Sequence, residues 1–113
     1  MQITEKQITQ FSDKFQKGFP EIQFAFLFGS AGTKSMKTGS DIDLAVYLQK
    51  DKKTVELISD IIGEAESHFR GFPCDLVILN DAGTDIRMEA LKGKLLFVRN
   101  DALDTYSGFY SDT

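Results

Sequence analysis

The chain has 113 residues, with 13 Lys or Arg against 17 Asp or Glu, and a net charge of −4. It holds a single Cys and no apolar run near the ~18 residues of a membrane helix, which excludes an internal disulfide framework and a membrane span. The polar start, the reduced Cys and the acidic balance predict a cytoplasmic protein without strong nucleic-acid binding, and residues 1–113 show no linker and predict a single domain.

The first half of the chain predicts one helix and two strands. Thr4 begins a capping-box pattern, and apolar residues at helical spacing follow, so we expect a helix over residues 4–17. Residues 22–28 (IQFAFLF) form a short apolar run that is typical of a buried strand. Residues 41–48 (DIDLAVYL) alternate between polar and apolar positions and predict a second strand.

The second half predicts helices and strands in alternation. Apolar residues spaced by three and four predict an amphipathic helix that ends at Phe69. Strands are expected over residues 75–79 and 94–98. Between them we expect a helix over 84–92, with Thr84 as its N-cap and Gly93 as its stop, and a short helix is expected over 101–110. The first two strands are joined by about a dozen residues, which is near the lower limit for a parallel crossover. We therefore expect an α/β (α+β) fold with a small mixed sheet of about four strands.

Two aspartates at the start of the second strand are the first candidate for chemistry. Asp41 and Asp43 are two residues apart, so their side chains project from the same face of a strand. Carboxylates held a few Å apart repel each other, and one pKa rises unless a cation lies between them. Mg²⁺ prefers carboxylate, phosphate and water oxygens and would resolve the conflict. A D-x-D pattern alone is more often the solvent-facing edge of an amphipathic strand.

A Gly-Ser pair at the end of the first strand makes the pattern more specific. Gly29 allows close approach of the backbone to a ligand, and exposed N–H groups with the Ser30 hydroxyl suit phosphate oxygens. Alone, this pair is more often an ordinary turn. Here ten residues separate it from Asp41, Ser40 lies directly before that residue, and a third carboxylate, Asp75, begins another apolar strand.

The order FGS, ten residues, DIDLAV and later CDLVIL resembles the DNA polymerase β-like nucleotidyltransferase superfamily. Within it, the chain is similar to the minimal nucleotidyltransferases, the MntA-like antitoxins of HEPN toxin–antitoxin systems. The resemblance covers about residues 20–98 and implies helices mainly on one face of the sheet. It also implies that three carboxylates are catalytic and bind metal: Asp41, Asp43 and Asp75.

The same resemblance implies ATP as substrate and two Mg²⁺ ions as cofactors. The implied nucleotide contacts are Gly29 and Ser30, to which we add Ser40 and the loop residue Lys34. Many relatives carry a Gly where this chain has Lys34, and the nearby glycine here is Gly32. We therefore expect the loop to hold the triphosphate differently.

The function that follows from the resemblance is transfer of AMP from ATP to a hydroxyl of a HEPN-type toxin, which would make the chain an antitoxin. The chain is little more than a catalytic core, so the acceptor is expected to dock from outside. One alternative is an antibiotic-type nucleotidyltransferase that acts on a small molecule and is completed by dimerisation. The other is an antitoxin that neutralises its partner by binding alone, against which the three retained carboxylates argue.

Overall fold

The structure, a computed structural model, describes residues 4–28, 41–70 and 72–111 and contains four helices and four strands in these ranges. The elements are α1 (Glu5–Gly18), β1 (Ile22–Phe28), β2 (Ile42–Leu48), α2 (Val55–His68), β3 (Cys74–Ile78), α3 (Thr84–Leu91), β4 (Lys94–Val98) and α4 (Leu103–Ser111). Short 3₁₀ turns follow β3 and precede α4. Each predicted element is present, and its ends differ from the prediction by at most two residues.

The four strands form one mixed sheet in the order β3-β2-β1-β4. β1 pairs antiparallel with both β2 and β4, whereas β2 pairs parallel with β3. The parallel connection contains α2, which supplies the length that such a crossover needs. The mixed sheet that the short link between the first two strands predicted is confirmed.

The two long helices cover one face of the sheet. Thr4 caps α1 with a reciprocal capping box, in which its side chain accepts from the backbone N–H of Gln7 and the Gln7 side chain accepts from the backbone N–H of Thr4. The core of this face contains fully buried side chains from α1, α2 and the sheet, among them Phe11, Phe15, Ile61, Leu44 and Val46. Both helices are 14 residues long and present an apolar stripe to the strands.

The two short helices cover part of the opposite face. Phe24 and Phe26 of β1 form a second core cluster there with Ala90 of α3 and Phe109 of α4. The Phe24 ring lies 5.2 Å from the Phe109 ring, centroid to centroid. Phe109 is 4% exposed, so α4 is packed on the sheet. The long helices thus lie on one face, as expected, and α3 and α4 add a smaller layer on the other.

An arginine after β4 connects the end of that strand to the corner between α1 and β1. The Nε atom of Arg99 donates to the carbonyl oxygen of Ile22, and its Nη2 atom donates to those of Gln16 and Phe19, each at 2.6 Å. One of these acceptors, the carbonyl oxygen of Gln16, lies in the last turn of α1, where the helix leaves carbonyls unpaired. Arg99 therefore fixes the corner between α1 and β1 against the end of β4.

Within the described ranges, no helix is both long and apolar enough to cross a membrane.

Candidate active site

The pairing of β2 with β3 brings two of the predicted carboxylates side by side. Asp43 is the register partner of Asp75 in this parallel pair, and on its other side Asp43 is the partner of Phe28 in β1. Two residues further along, Ala45 and Val77 pack in the cluster beneath α3 and α4. Because side chains alternate along a strand, Asp43 and Asp75 share that face of the sheet.

We define the carboxylate row as Asp43 and Asp75 together with Phe28, the register partner of Asp43 in β1. This row lies at one end of the sheet. β1 ends at Phe28, and β2 and β3 begin at Ile42 and Cys74. Asp41 lies directly before β2 and is exposed, Asp75 is exposed, and Asp43 between them is half-buried. The pairing of the strands therefore brings Asp43 and Asp75 together, and Asp41 lies two residues before Asp43.

The charges of the three aspartates at this end of the sheet influence one another. Partial burial raises the pKa of Asp43 above its ordinary value, and the negative charges of Asp75 and then Asp41 raise it further. Among the described residues, no Lys or Arg side chain forms an ion pair with Asp41, Asp43 or Asp75. The row is thus a concentration of negative charge that a cation would stabilise.

The carboxylates at this end of the sheet are suitable ligands for a Mg²⁺ ion that binds together with a nucleotide. In the parts of the chain that the structure describes, no group of three or more Asp, Glu, His or Cys side chains is arranged to hold a metal ion by itself. Mg²⁺, however, usually takes only one or two protein carboxylates and completes its octahedron with phosphate oxygens and water. Burial and, after it, repulsion from Asp75 and Asp41 raise the pKa of Asp43, and a bound cation would relieve that repulsion. Asp41 and Asp43 are therefore suitable ligands for a metal that arrives with a triphosphate.

A fourth carboxylate, which the sequence analysis did not single out, lies at the start of β3. The backbone N–H of Cys74 donates to Oε2 of Glu66 on α2 at 2.9 Å. Burial, together with the negative charges of Glu66, Asp75 and Asp43, raises the pKa of the Cys74 thiol to about 12. The thiol therefore stays protonated at neutral pH and is a poor nucleophile, despite its place beside Asp75. A Glu on a helix carries no signal in the sequence that would have linked it to this strand.

The predicted nucleotide contacts Gly29, Ser30, Lys34 and Ser40 lie outside the described residues. Their assignment stays a prediction. What the structure does give is the position of Phe28, which directly precedes Gly29 in sequence and is the register partner of Asp43.

The histidine is part of the scaffold. Nε2 of His68 lies 3.0 Å from the carbonyl oxygen of Gln7, and its ring contacts those of Phe11 and Phe69. These contacts place it between α1 and α2, which cover the face opposite the carboxylate row. It contributes to helix packing and not to the candidate site, as the sequence analysis left it out of the site residues.

The family described as polymerase beta, nucleotidyltransferase matches this chain over residues 6–102. The match includes the carboxylate row and extends from α1 to the residues before α4. No curated protein matches the chain.

Solved structures of toxin–antitoxin complexes share the fold. A MntA–HepT toxin–antitoxin complex matches with a TM-score of 0.66 and 20% identity, covering 96% of this chain and 85% of that one. A toxin–antitoxin complex with AMP-PNP gives a TM-score of 0.65 and 23% identity, covering 96% and 89%. The tri-AMPylated Shewanella oneidensis HEPN toxin in complex with MNT antitoxin gives 0.62 and 21%, covering 92% and 84%. At these identities the similarity establishes a common fold.

Proposed function

The chain belongs to the polymerase beta nucleotidyltransferase family, and from that premise we propose that it transfers AMP from ATP to a hydroxyl group of a HEPN-type protein. The observation that carries the proposal is the opposition of Asp43 and Asp75 across two strands, with Asp41 close enough to act on the same pKa. In a family of nucleotidyltransferases, neighbouring carboxylates of this kind are better explained by binding of a metal and a nucleotide than by a structural role.

The three carboxylates have different tasks in this proposal. Asp41 and Asp43 hold Mg²⁺ and, through it, the triphosphate, which Gly29, Ser30, Ser40 and Lys34 contact from the loop. When bound, Mg²⁺ supplies positive charge that stabilises the attacking and leaving oxygens. Asp75 faces the acceptor.

The proposed reaction is a single displacement at the α-phosphorus of ATP. The acceptor oxygen forms a bond to the α-phosphorus of ATP, and the bond from that phosphorus to the oxygen bridging to the β-phosphate breaks. Pyrophosphate leaves with the electron pair of the broken bond, and the proton of the acceptor hydroxyl passes to Asp75. The contribution of the chain is mostly the position and charge of its carboxylates.

The identity of the acceptor is supported by the solved complexes that share the fold. They include a MntA–HepT toxin–antitoxin complex, a toxin–antitoxin complex with AMP-PNP, and a tri-AMPylated HEPN toxin bound to an MNT antitoxin. An acceptor that docks as a whole protein also suits Asp75, which is exposed at the edge strand of the sheet and so accessible from outside.

Co-expression tests this function. The chain is produced with the HEPN-type protein that a neighbouring gene is expected to encode, and the partner is examined by intact-mass and peptide mass spectrometry. We expect AMP on a hydroxyl side chain of the partner with the wild-type chain, and no AMP with Asp41→Asn/Asp43→Asn. The matched control is Asp13→Asn/Asp60→Asn, which removes two exposed charges on α1 and α2.

Two other outcomes separate the alternatives. A partner that is neutralised but never modified, equally well by wild type and by Asp41→Asn/Asp43→Asn, would show that binding alone is sufficient. AMP transfer to an aminoglycoside, with none to any protein, would show a small-molecule enzyme.

A further inference from the structure

A glycine in the turn between α3 and β4 lies against the end of β1. A β-carbon built on Gly93 would overlap the carbonyl oxygen of Leu27 and would lie 2.7 Å from both Cα and Cβ of Phe28. Carbon atoms in contact are normally about 3.5–4.0 Å apart. Two of the three atoms belong to the backbone, so no side-chain rotation makes room. The turn can therefore approach Phe28 this closely only because residue 93 is a glycine.

Two of the three atoms that such a β-carbon would meet belong to Phe28, a member of the carboxylate row. Phe28 is the register partner of Asp43, and Asp43 is the register partner of Asp75. Leu27, whose carbonyl oxygen meets the same space, pairs with Leu44 of β2. A displacement of the end of β1 is therefore passed to β2 through the pairing that holds Asp43.

The other described glycines do not show this restriction. Gly18, Gly63, Gly83 and Gly108 all have open space where a β-carbon would be placed. Close approach of the backbone at Gly93 is thus a local feature of the end of the sheet where the candidate site lies, and not a general consequence of tight packing.

We propose that Gly93 is a positioning residue for AMP transfer: the bare backbone at this turn sets the position of Phe28 and, through strand pairing, that of Asp43 relative to Asp75. The inference rests on the proposed function for its catalytic consequence. Gly93 touches no substrate and acts only through the strand. Catalysis depends steeply on such placement, since a shift of about 1 Å can cost roughly 10²-fold in rate.

The test compares Gly93→Ala with Gly83→Ala, which changes the glycine at the opposite end of α3. Two quantities are measured: the single-turnover rate of AMP transfer per folded molecule at saturating Mg·ATP, and the backbone amide NMR shifts of Phe28, Asp43 and Asp75 without nucleotide. We expect Gly93→Ala to lower the rate by at least about tenfold and to move all three amides. Gly83→Ala should change neither the rate nor these amides.

A stability control separates positioning from general weakening of the fold. Ile61→Val removes a methyl group from a fully buried side chain on α2, on the opposite face of the sheet. It should lower the melting temperature while keeping the wild-type rate per folded molecule. If Gly93→Ala instead behaves like Ile61→Val, with a lower melting temperature but an unchanged rate and unmoved amides in the row, the proposal is overturned.

The remaining outcomes also decide the matter. If wild type transfers no AMP, the proposed function fails, and the amide shifts still report whether Gly93 positions the row. If Gly93→Ala does not fold, the measurement is made in a Gly63→Ala background, because alanine at that mid-helix position of α2 stabilises the helix. A double variant that remains unfolded would make Gly93 a folding residue and would also overturn the proposal.

Discussion

Asp43 and Asp75 are direct partners in the parallel pairing of β2 with β3, on the face of the sheet that carries α3 and α4. The pairing places like charges next to each other without a described cationic partner. Such an arrangement costs folding free energy in the absence of a cation. Its presence in a nucleotidyltransferase domain is explained if the cation comes with the substrate.

The first prediction concerns the stability of the nucleotide-free protein. The pKa of Asp43 is raised from its ordinary value of 3.8, so the folded state binds this proton more tightly than the unfolded state. The contribution of this tighter proton binding to the free energy of unfolding is complete below pH 3.8. It is lost as the pH rises through the raised pKa of Asp43 in the folded state. Asp43→Asn should therefore be more stable than wild type at neutral pH, with a gain that shrinks as the pH is lowered toward 4.

Urea denaturation across this pH range measures the effect. Asp60→Asn, which removes an exposed carboxylate from α2, is the matched control and should show no such pH-dependent gain. An Asp43→Asn variant that is less stable than wild type at neutral pH would mean that the carboxylate makes a favourable contact that outweighs the repulsion.

The second prediction concerns the binding of nucleotide. Asp41→Asn/Asp43→Asn keeps the shape of both side chains but removes two negative charges, so the metal loses its charged ligands. We expect Mg·ATP binding to collapse in this variant, by at least about 10²-fold in Kd if each lost charge costs about one hydrogen bond to a charged group. Isothermal titration calorimetry with and without Mg²⁺ gives the comparison, and unchanged Mg²⁺-dependent affinity would remove the metal assignment.

The third prediction separates Asp75 from the other two aspartates. If Asp75 receives the proton of the acceptor, Asp75→Asn should bind Mg·ATP within a few-fold of wild type but transfer AMP about 10²–10⁴-fold more slowly. Single-turnover kinetics at saturating nucleotide separates the two effects. Transfer at nearly the wild-type rate would reduce Asp75 to a strand residue, and loss of ATP binding as complete as in the double variant would show that all three aspartates hold the nucleotide.

The fourth prediction tests the scaffold that carries the site. Arg99 donates to three carbonyl oxygens at 2.6 Å, at the corner between α1 and β1. Arg99→Met keeps much of the side-chain volume but leaves these acceptors without their charged donor. We expect the free energy of unfolding to fall by about 2–4 kcal/mol, because hydrogen bonds to charged groups contribute about 1.5–3 kcal/mol each and are not additive. Arg70→Met, at an exposed position after α2, should cost far less in the same urea titration.

Local patterns in the sequence predicted the elements and the identities of the three carboxylates. Alternation over residues 41–48 placed Asp41 and Asp43 on one face before any pairing was known. The ends of elements were less well determined. Thr84 was expected to cap the helix that follows it, but α3 begins at Thr84 with Gly83 as its N-cap, because capping depends on backbone angles that the residue type does not fix.

Long-range contacts could not be predicted in the same way. The register that opposes Asp43 to Asp75, the packing of Phe109 on β1 and the approach of Gly93 to Phe28 join residues far apart in the sequence. Gly93 was expected only to end a helix, and Glu66 was given no role. Neither contact is visible in local spacing, because both depend on which elements lie beside each other in the fold.

The proposed function requires that the chain transfers the α-phosphoryl part of ATP, as AMP, to a protein hydroxyl. The most direct measurement incubates the chain and its unmodified HEPN-type partner with Mg²⁺ and ATP labelled either on the α-phosphorus or on the γ-phosphorus. We predict that the α-label enters the partner protein, that the γ-label is released in pyrophosphate, and that both signals disappear with Asp41→Asn/Asp43→Asn. Transfer of the γ-label to protein, or incorporation of the α-label that persists in that variant, would contradict the proposed transfer of AMP.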